Sequence, residues 1–237
     1  MFIVEEFFSI QGEGKYVGVP SYFIRTTGCN LRCSWKNEDD SITICDTPYT
    51  SFNPEKGKDV DGEYIHNQMK NTPIQHIVIT GGEPTLQNDL AKVVEYLDKK
   101  GYDITIETNV TKFVKLPKNT FLSISPKLFN SYNQEKGSKE ETMHKLNNKF
   151  EENIKLYVLY NKYQLKFVYN NKKDVDEIDR LQTRLLIPNN NIYLMPQGIT
   201  TEQFKVKQQE LFQICIEKGW VYTPRLHIEM FGNKRGI

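Results

Sequence analysis

Six short runs dense in β-branched and aromatic residues punctuate the chain: 21–27 (SYFIRTT), 76–80 (HIVIT), 102–108 (YDITIET), 121–125 (FLSIS), 164–169 (QLKFVY) and 192–196 (IYLMP). Each has the length and composition of a buried strand. Longer amphipathic stretches lie between them. In LQNDLAKVVEYLDKKG the residues Leu86, Leu90, Val93 and Leu97 recur at helical spacing, and Gly101 is placed to end the helix. A second helix is expected from Asp174, with Glu177 completing a capping box and Val175, Ile178, Leu181 and Leu185 forming its apolar face. A third starts near Thr200 with Gln203 in the same relation, its apolar face running through Phe204, Leu211, Ile214 and Cys215. Strands alternating with helices imply an α/β fold with a mostly parallel sheet and crossover helices. About six strands are too few to close an eightfold barrel, so an open, partial TIM-like barrel is expected. Residues 128–150 are polar and weakly patterned, and read as a surface insertion with a helix from Glu140 onward. With no internal repeat and no linker, the 237 residues are expected to form one domain with a core large enough to need no disulfides.

Charge narrows the class of partner. Lys and Arg number 31 against 30 Asp and Glu, so bulk electrostatics supply no reason to expect nucleic acid or a membrane, and a small ligand is favoured. The first residues, MFIVEEFFSI, carry acid at once and lack a basic segment followed by an apolar one, and no run approaches bilayer length. A cytoplasmic protein is expected. In that reducing compartment closely spaced cysteines point to metal or redox chemistry.

Three of the four cysteines, Cys29, Cys33 and Cys45, fall within GCNLRCSWKNEDDSITICDTPYT. One reading is a structural zinc site completed by a ligand from elsewhere, such as one of the four histidines. Another is an iron–sulfur cluster held by three thiolates, with one iron lacking a protein ligand. Cys215 could fill that vacancy, but between Ile214 and Ile216 on an apolar helix face it reads as a buried structural thiol. The stretch TGGEPTL, residues 80–86, closes one strand and opens a helix with two glycines, so that backbone can approach a ligand at the C-terminal edge of the sheet. The cysteine loop follows an earlier strand at that same edge, where α/β enzymes carry their active sites.

C-x-x-x-C followed by a third cysteine, together with TGGEP, resembles the radical S-adenosylmethionine superfamily. The usual spacing there is C-x-x-x-C-x-x-C, and this chain departs from it by nine extra residues at 36–44, KNEDDSITI, a polar insertion able to loop out while the three thiols converge. SIQGEG, FIRTTGCNLRCSW, CDT, TGGEP, ETN, SPK and the terminal FGNKRGI together resemble the 7-carboxy-7-deazaguanine synthase family within it. The resemblance spans the chain, strongest in the first 130 residues and the last dozen. It implies a [4Fe-4S] cluster on Cys29, Cys33 and Cys45, catalytic S-adenosylmethionine, a Mg²⁺ ion on Thr47, a homodimer, and an electron donor such as flavodoxin or ferredoxin.

The same resemblance distributes the remaining roles. Gly81, Gly82 and Glu83 would meet the methionine end of S-adenosylmethionine; Glu107 and Thr108 its ribose and methionine region, although the glycine usual after ETN is Val110 here. Ser125, Pro126, Lys127 and Gln197 complete the cofactor side. Ile10, Gln11, Gly12 and Glu13 would face the substrate, a carboxytetrahydropterin, with Arg25 as a planar fork for its carboxylate, Thr80, His227, and the terminal carboxylate of Ile237 held by Lys234 and Arg235. Two other readings stay open at this point. A glycyl-radical activase would share the cluster and GGEP; a zinc-stabilised binding module would do no chemistry.

Overall fold

The structure is a computed structural model that describes residues 1–37, 40–133 and 136–237. In chain order the strands and helices are β1 (Phe2–Ile10), β2 (Pro20–Thr26), β3 (Ser34–Lys36), β4 (Ile42–Ile44), β5 (Lys58–Asp59), α1 (Gly62–Met69), β6 (His76–Gly81), α2 (Leu90–Lys99), β7 (Asp103–Thr108), β8 (Phe121–Ile124), α3 (Lys139–Asn147), α4 (Glu151–Tyr160), β9 (Lys162–Tyr169), α5 (Lys173–Leu185), β10 (Ile192–Pro196), α6 (Thr201–Lys218), β11 (Val221–Tyr222) and α7 (Leu226–Phe231). Among the described residues nine strands make one mixed sheet in the order β11-β10-β9-β8-β7-β6-β2-β1-β5.

The six strands expected from sequence form its contiguous parallel row, from β2 through β6, β7, β8 and β9 to β10. Three further strands correct the expected number. Parallel β11 extends one edge, while β1 and β5 add antiparallel strands at the other. FIVEEFFSI hides β1 because its residues are mostly half-exposed and follow no clean alternation.

Strand periodicity sorts the sheet into two faces. Tyr22 and Ile24, Ile77 and Ile79, Ile104 and Ile106, Leu122 and Ile124, Leu165 and Phe167, and Ile192 and Leu194 all enter the main core beneath the helices. Register keeps them aligned: Tyr22 opposes Ile77, Ile77 opposes Ile104, Ile106 opposes Leu122, and Leu165 opposes Ile192. α2 closes over this face with Leu90, Val93, Val94 and Leu97. The residues of opposite parity, among them Phe23, Arg25, Glu107, Ser123, Lys166, Val168 and Met195, line a cavity on the other face.

Helix ends follow local chemistry, with one correction. Thr200 caps α6 through Gln203 N, and Gln203 reaches back to Ile199 N, one residue outside the expected box. Asp174 is not a cap: α5 begins at Lys173, and the buried Asp174 carboxylate instead accepts from Asn170 N, Asn171 N and Asn130 Nδ2. Glu177 accepts from Phe129 N rather than closing a box. Both acids tie α5 to neighbouring loops.

The polar stretch 128–150 is likewise not a simple surface insertion. Leu128, Ser131, Glu141 and His144 are buried, and α3 starts one residue before Glu140, capped by Ser138. Its tethers end on the cysteine loop. Asn147 Nδ2 donates to Asn30 O at 3.0 Å, Asn133 N to Ser34 Oγ at 3.1 Å and Asn133 Nδ2 to Ser34 O at 3.3 Å. Gln134 and Glu135 of that stretch, and Glu38 and Asp39 of the 36–44 insertion, lie outside the described residues.

Candidate active site

The cysteine loop leaves β2 at Gly28 and folds into a hairpin rather than an irregular excursion. β3 and β4 pair antiparallel, Ser34 opposite Ile44 and Lys36 opposite Ile42, and Cys45 N donates to Cys33 O at 3.0 Å. Two residues far apart in sequence thereby become cross-strand neighbours at the hairpin base. The extra residues lengthen the hairpin and leave Cys45 beside Cys33. Cys29, Cys33 and Cys45 pack with Leu31, Trp35 and Val168 in a small apolar cluster, and all three line the cavity.

Burial pushes the Cys29 thiol up to about 12, against a modest lowering by the Leu31 N–H. Cys33 and Cys45 are raised by burial as well. Such thiols ionise when a cationic group binds them, since the thiolate is the ligand form. Among the described residues no three or more His, Cys, Asp or Glu side chains surround one point as a single metal ion requires. Three cavity-lining thiols in a largely apolar wall fit a polynuclear cluster, in which each thiolate takes its own iron.

The TGGEP loop is stitched to this cysteine loop. Gly82 N donates to Thr26 O at 3.1 Å and Glu83 N to Gly28 O at 2.8 Å. A Cβ on Gly82 would lie 2.0 Å from Gly28 O, so only glycine lets the two backbones approach this closely. Glu83, expected to meet the cofactor, is fully buried and outside the cavity lining. One carboxylate oxygen accepts from Thr85 N, Thr85 Oγ1 and Thr108 Oγ1, and the other from Asn109 N at 2.7 Å. Burial raises its pKa, partly offset by these donors. It locks the ends of β6 and β7 together. Val110 adopts a left-handed φ of 59° while fully buried, a strained conformation for a β-branched residue where glycine would be relaxed.

Across the cavity lies a dense ionic floor. Gln11 Nε2 donates to Glu107 Oε1 at 3.2 Å, and Thr80 Oγ1 to Glu107 Oε2 at 2.9 Å. Lys166 pairs with Glu13 and lies 3.7 Å from Glu107. Arg225 Nε donates to Glu13 at 3.0 Å and Nη2 to Asp46 at 2.5 Å. Burial alone would raise the Glu13 pKa, but Lys166 and Arg225 hold it well below the usual carboxylate range. Burial likewise opposes charge on Lys166, and Glu107 and Glu13 outweigh it, keeping the ammonium. His227 packs against Gly12, where a Cβ would meet its Nδ1 at 2.3 Å, and burial lowers its pKa. Arg25 lines the cavity with its Nε bonded to Glu5 at 2.8 Å.

The carboxyl end folds back onto this floor. Arg235 lies 3.8 Å over the Tyr49 ring, donates through Nε to Glu5 at 3.0 Å and grips Glu55 through Nη1 and Nη2 at 3.0 and 2.9 Å. Ile237 then lines the cavity. Lys234 is exposed, and among the described residues the side-chain hydrogen bonds from 232–237 to the body are those of Arg235.

The cavity brings together Ile10, Gln11, Gly12, Glu13, Arg25, the three cysteines, Thr47, Thr80, Gly81, Gly82, Glu107, Thr108, Ser125, Lys127, Gln197, His227 and Ile237. Glu83 and Pro126 lie outside its lining, and Cys215 is buried on α6 within the main core. Thr47 Oγ1 is 3.4 Å from Cys45 Sγ. Sequence reasoning missed Asp46, Asn109, Ser123, Lys166 and Arg225. One carried a signal: Lys166 interrupts the otherwise apolar LKFVY of a buried strand, where a lone charge needs a partner.

Comparison with known proteins accounts for the arrangement. Residues 23–170 match the Radical SAM superfamily. Over 238 residues the chain is 34% identical to a 7-carboxy-7-deazaguanine synthase of Rhodopirellula baltica, covering 100% of this chain and 88% of that one. It is 34% identical over 243 residues to the synthase of Halobacterium salinarum, with 98% and 90% covered. The crystal structure of QueE from Escherichia coli superposes with a TM-score of 0.63 at 24% identity, covering 95% of this chain and 94% of that chain. Streptococcus suis SuiB bound to S-adenosylmethionine shares the fold at a TM-score of 0.55 and 14% identity, with 84% and 48% covered. By these matches the chain belongs to the radical S-adenosylmethionine superfamily and, within it, to the 7-carboxy-7-deazaguanine synthase family.

Proposed function

We propose that this chain, acting as a single radical S-adenosylmethionine domain, converts 6-carboxy-5,6,7,8-tetrahydropterin to 7-carboxy-7-deazaguanine with release of ammonia, in the biosynthesis of queuosine and related 7-deazapurines. The observation that carries the reading is the shared cavity. The three-thiol loop, the GGEP turn, the QGEG segment and the terminal Ile237 come from four distant parts of the chain and line one space. Relatives of matching length that bear the synthase name support it.

In this reading Cys29, Cys33 and Cys45 hold a [4Fe-4S] cluster, and Thr47 is the protein ligand of a Mg²⁺ ion that otherwise keeps water and substrate oxygens. When bound, cluster and S-adenosylmethionine together supply a carbon-centred radical capable of abstracting hydrogen from the substrate. The chain's own work is placement and exclusion. Gly81 and Gly82 let backbone approach the cofactor; Thr108, Ser125, Lys127 and Gln197 line its side of the cavity. Gln11, Glu13 and Glu107 offer amide and carboxylate groups to the edge of a flat heterocycle. Arg25 and Lys166 keep positive charge beside a carboxylated ligand. Phe7 and Phe23, stacked at 5.2 Å between ring centroids, add an apolar wall that limits water near the reacting atoms. Glu83 contributes by fixing the loop behind the wall. A flavodoxin or ferredoxin as electron donor and a homodimeric state complete the proposal; no described helix is long and apolar enough to cross a membrane.

The test is anaerobic incubation of reconstituted protein with S-adenosylmethionine, a reductant, Mg²⁺ and the carboxytetrahydropterin, followed by mass spectrometry. The expected product is 7-carboxy-7-deazaguanine with ammonia. Cleavage of S-adenosylmethionine with the pterin recovered unchanged would refute the reading.

A further inference from the structure

Lys207 is buried on the inner face of α6, where its neighbours along the helix are Phe204, Leu211 and Cys215. Burying an ammonium there costs far more than burying another leucine, so its partners must account for it. Nζ donates to Gln197 Oε1 at 2.8 Å, to Gln197 O at 3.2 Å and to Asn170 Oδ1 at 2.9 Å. Asn170 N in turn donates to Asp174, whose carboxylate lies close enough to feel the lysine's charge. Two of these three bonds go to Gln197, which is 3% exposed and lines the cavity on its cofactor side. A lysine only donates, so the amide oxygen must turn towards α6. Among the described residues nothing in the chain accepts from Gln197 Nε2, and the NH2 is left for whatever fills the cavity. We propose that Lys207 is a positioning residue that fixes the Gln197 amide with its NH2 towards the cavity, so that Gln197 serves the adenosine part of S-adenosylmethionine as a hydrogen-bond donor and not as an acceptor. The proposal rests on the functional reading above and deepens it.

As a tether for the loop the lysine would be redundant. Pro196 pairs with Tyr169, Gln197 N donates to Tyr169 O at 2.8 Å, Gly198 O accepts from Arg225 Nη1 at 2.5 Å, and Gln203 Oε1 accepts from Ile199 N at 2.7 Å. The backbone from 196 to 199 is thus held by other partners. What those bonds leave open is the rotation of the Gln197 amide. Turning it over exchanges donor for acceptor with almost no change in shape, whereas the ring nitrogens and hydroxyl oxygens of a nucleoside each need a donor opposite them. Lys207 removes the inverted state, because an NH2 turned towards the ammonium would bury donor against donor.

The experiment uses reconstituted holoenzyme without reductant, so that no turnover occurs, and measures the Kd of S-adenosylmethionine by calorimetry beside Tm by thermal unfolding. Gln197→Leu and Lys207→Met should each weaken binding about 3–10-fold, the worth of one net hydrogen bond, with iron content unchanged. The double variant should bind no more weakly than Gln197→Leu, because the lysine acts only through the amide. A lysine that merely held the loop would weaken binding again in that background. Gln197→Glu separates the two roles by sign: its carboxylate pairs with Lys207, so Tm should stay at or above that of wild type, while an acceptor now faces the cavity and binding should weaken about tenfold or more. Should Lys207→Met fail to fold, Gln197→Glu decides alone. Wild-type affinity in Gln197→Glu, or a full further loss on adding Lys207→Met to Gln197→Leu, overturns the proposal. A wild-type holoenzyme that binds no S-adenosylmethionine overturns it together with the functional reading, whereas protein that follows the expected pattern and still returns the pterin unchanged overturns the functional reading alone.

Discussion

Replacing Gly82 with alanine puts one methyl carbon between the two loops that build the cofactor side of the cavity. The added Cβ would stand 2.0 Å from Gly28 O, 2.5 Å from Gly28 C and 3.0 Å from Cys29 N, whereas ordinary contact begins near 3.4 Å. The shortfall against the carbonyl oxygen is 3.4 − 2.0 = 1.4 Å, and every obstructing atom is backbone, so no side chain can rotate to make room. The loops must part by roughly 1 Å, an overpacking cost of about 1–3 kcal/mol. The Glu83 N to Gly28 O bond is lost as well, adding about 1 kcal/mol. For a chain of this size each kcal/mol lowers Tm by about 2–4 °C, giving a fall of roughly 5–15 °C. Displacing Cys29 by this distance should reduce turnover about a hundredfold, the usual consequence of a 1 Å error in placing reactive groups. Iron content after reconstitution should fall in parallel. Gly101→Ala is the control: its φ of +85° makes alanine strained, but nothing lies within 4 Å of the added carbon, so it should lower Tm and leave iron and turnover intact. Gly82→Ala protein with wild-type iron content and turnover would show that the close approach of these loops is not what positions the cysteines.

Two further outcomes follow from particular groups. Arg235→Ala removes the bonds that hold the tail to Glu5 and Glu55; losing these charge-assisted hydrogen bonds should loosen Ile237 from the cavity and raise KM for the pterin about 10–100-fold with iron content unchanged, and an unaltered KM would exclude a part for the tail in substrate binding. Burial and nearby Lys127 push the His144 pKa down to about 4 from 6.5, so the unfolded chain takes up this proton first: stability is complete above pH 6.5, declines toward pH 4 and levels off below, and His144→Gln should flatten that decline in thermal unfolding, an unchanged slope counting against the assignment.

The parallel row of strands was legible because each is a short run rich in β-branched and aromatic residues, with one face wholly apolar and turn residues at its ends. The cysteine loop and TGGEP were legible because each sits just past such a strand, at the edge where loops converge. What stayed hidden depends on pairing across distance. Cys45 reaches Cys33 through a hairpin whose strands are only three residues each, too short to announce themselves beside polar neighbours. Asp174 and Glu177 fit a capping-box pattern, but backbone donors of the preceding turn, Asn170 and Asn171, and tertiary donors from Asn130 and Phe129 take both carboxylates. The burial of Glu83 was hidden too, since the four donors that satisfy its carboxylate come from Thr85, Thr108 and Asn109 only once two loops meet. Arg225 had no local signal whatever: its role arises from contacts with residues 212 and 179 positions away.

The central claim is that three cysteines and one pterin site act together in a single cavity. The most direct measurement is a parallel count of bound iron, 5′-deoxyadenosine and 7-carboxy-7-deazaguanine in anaerobic reactions of wild type, Cys45→Ala and Cys215→Ala. Wild type and Cys215→Ala should retain iron and form both compounds, because Cys215 lies within the main core. Cys45→Ala should lose iron and form neither. Retention of iron and product by Cys45→Ala, with their loss in Cys215→Ala, would contradict the account.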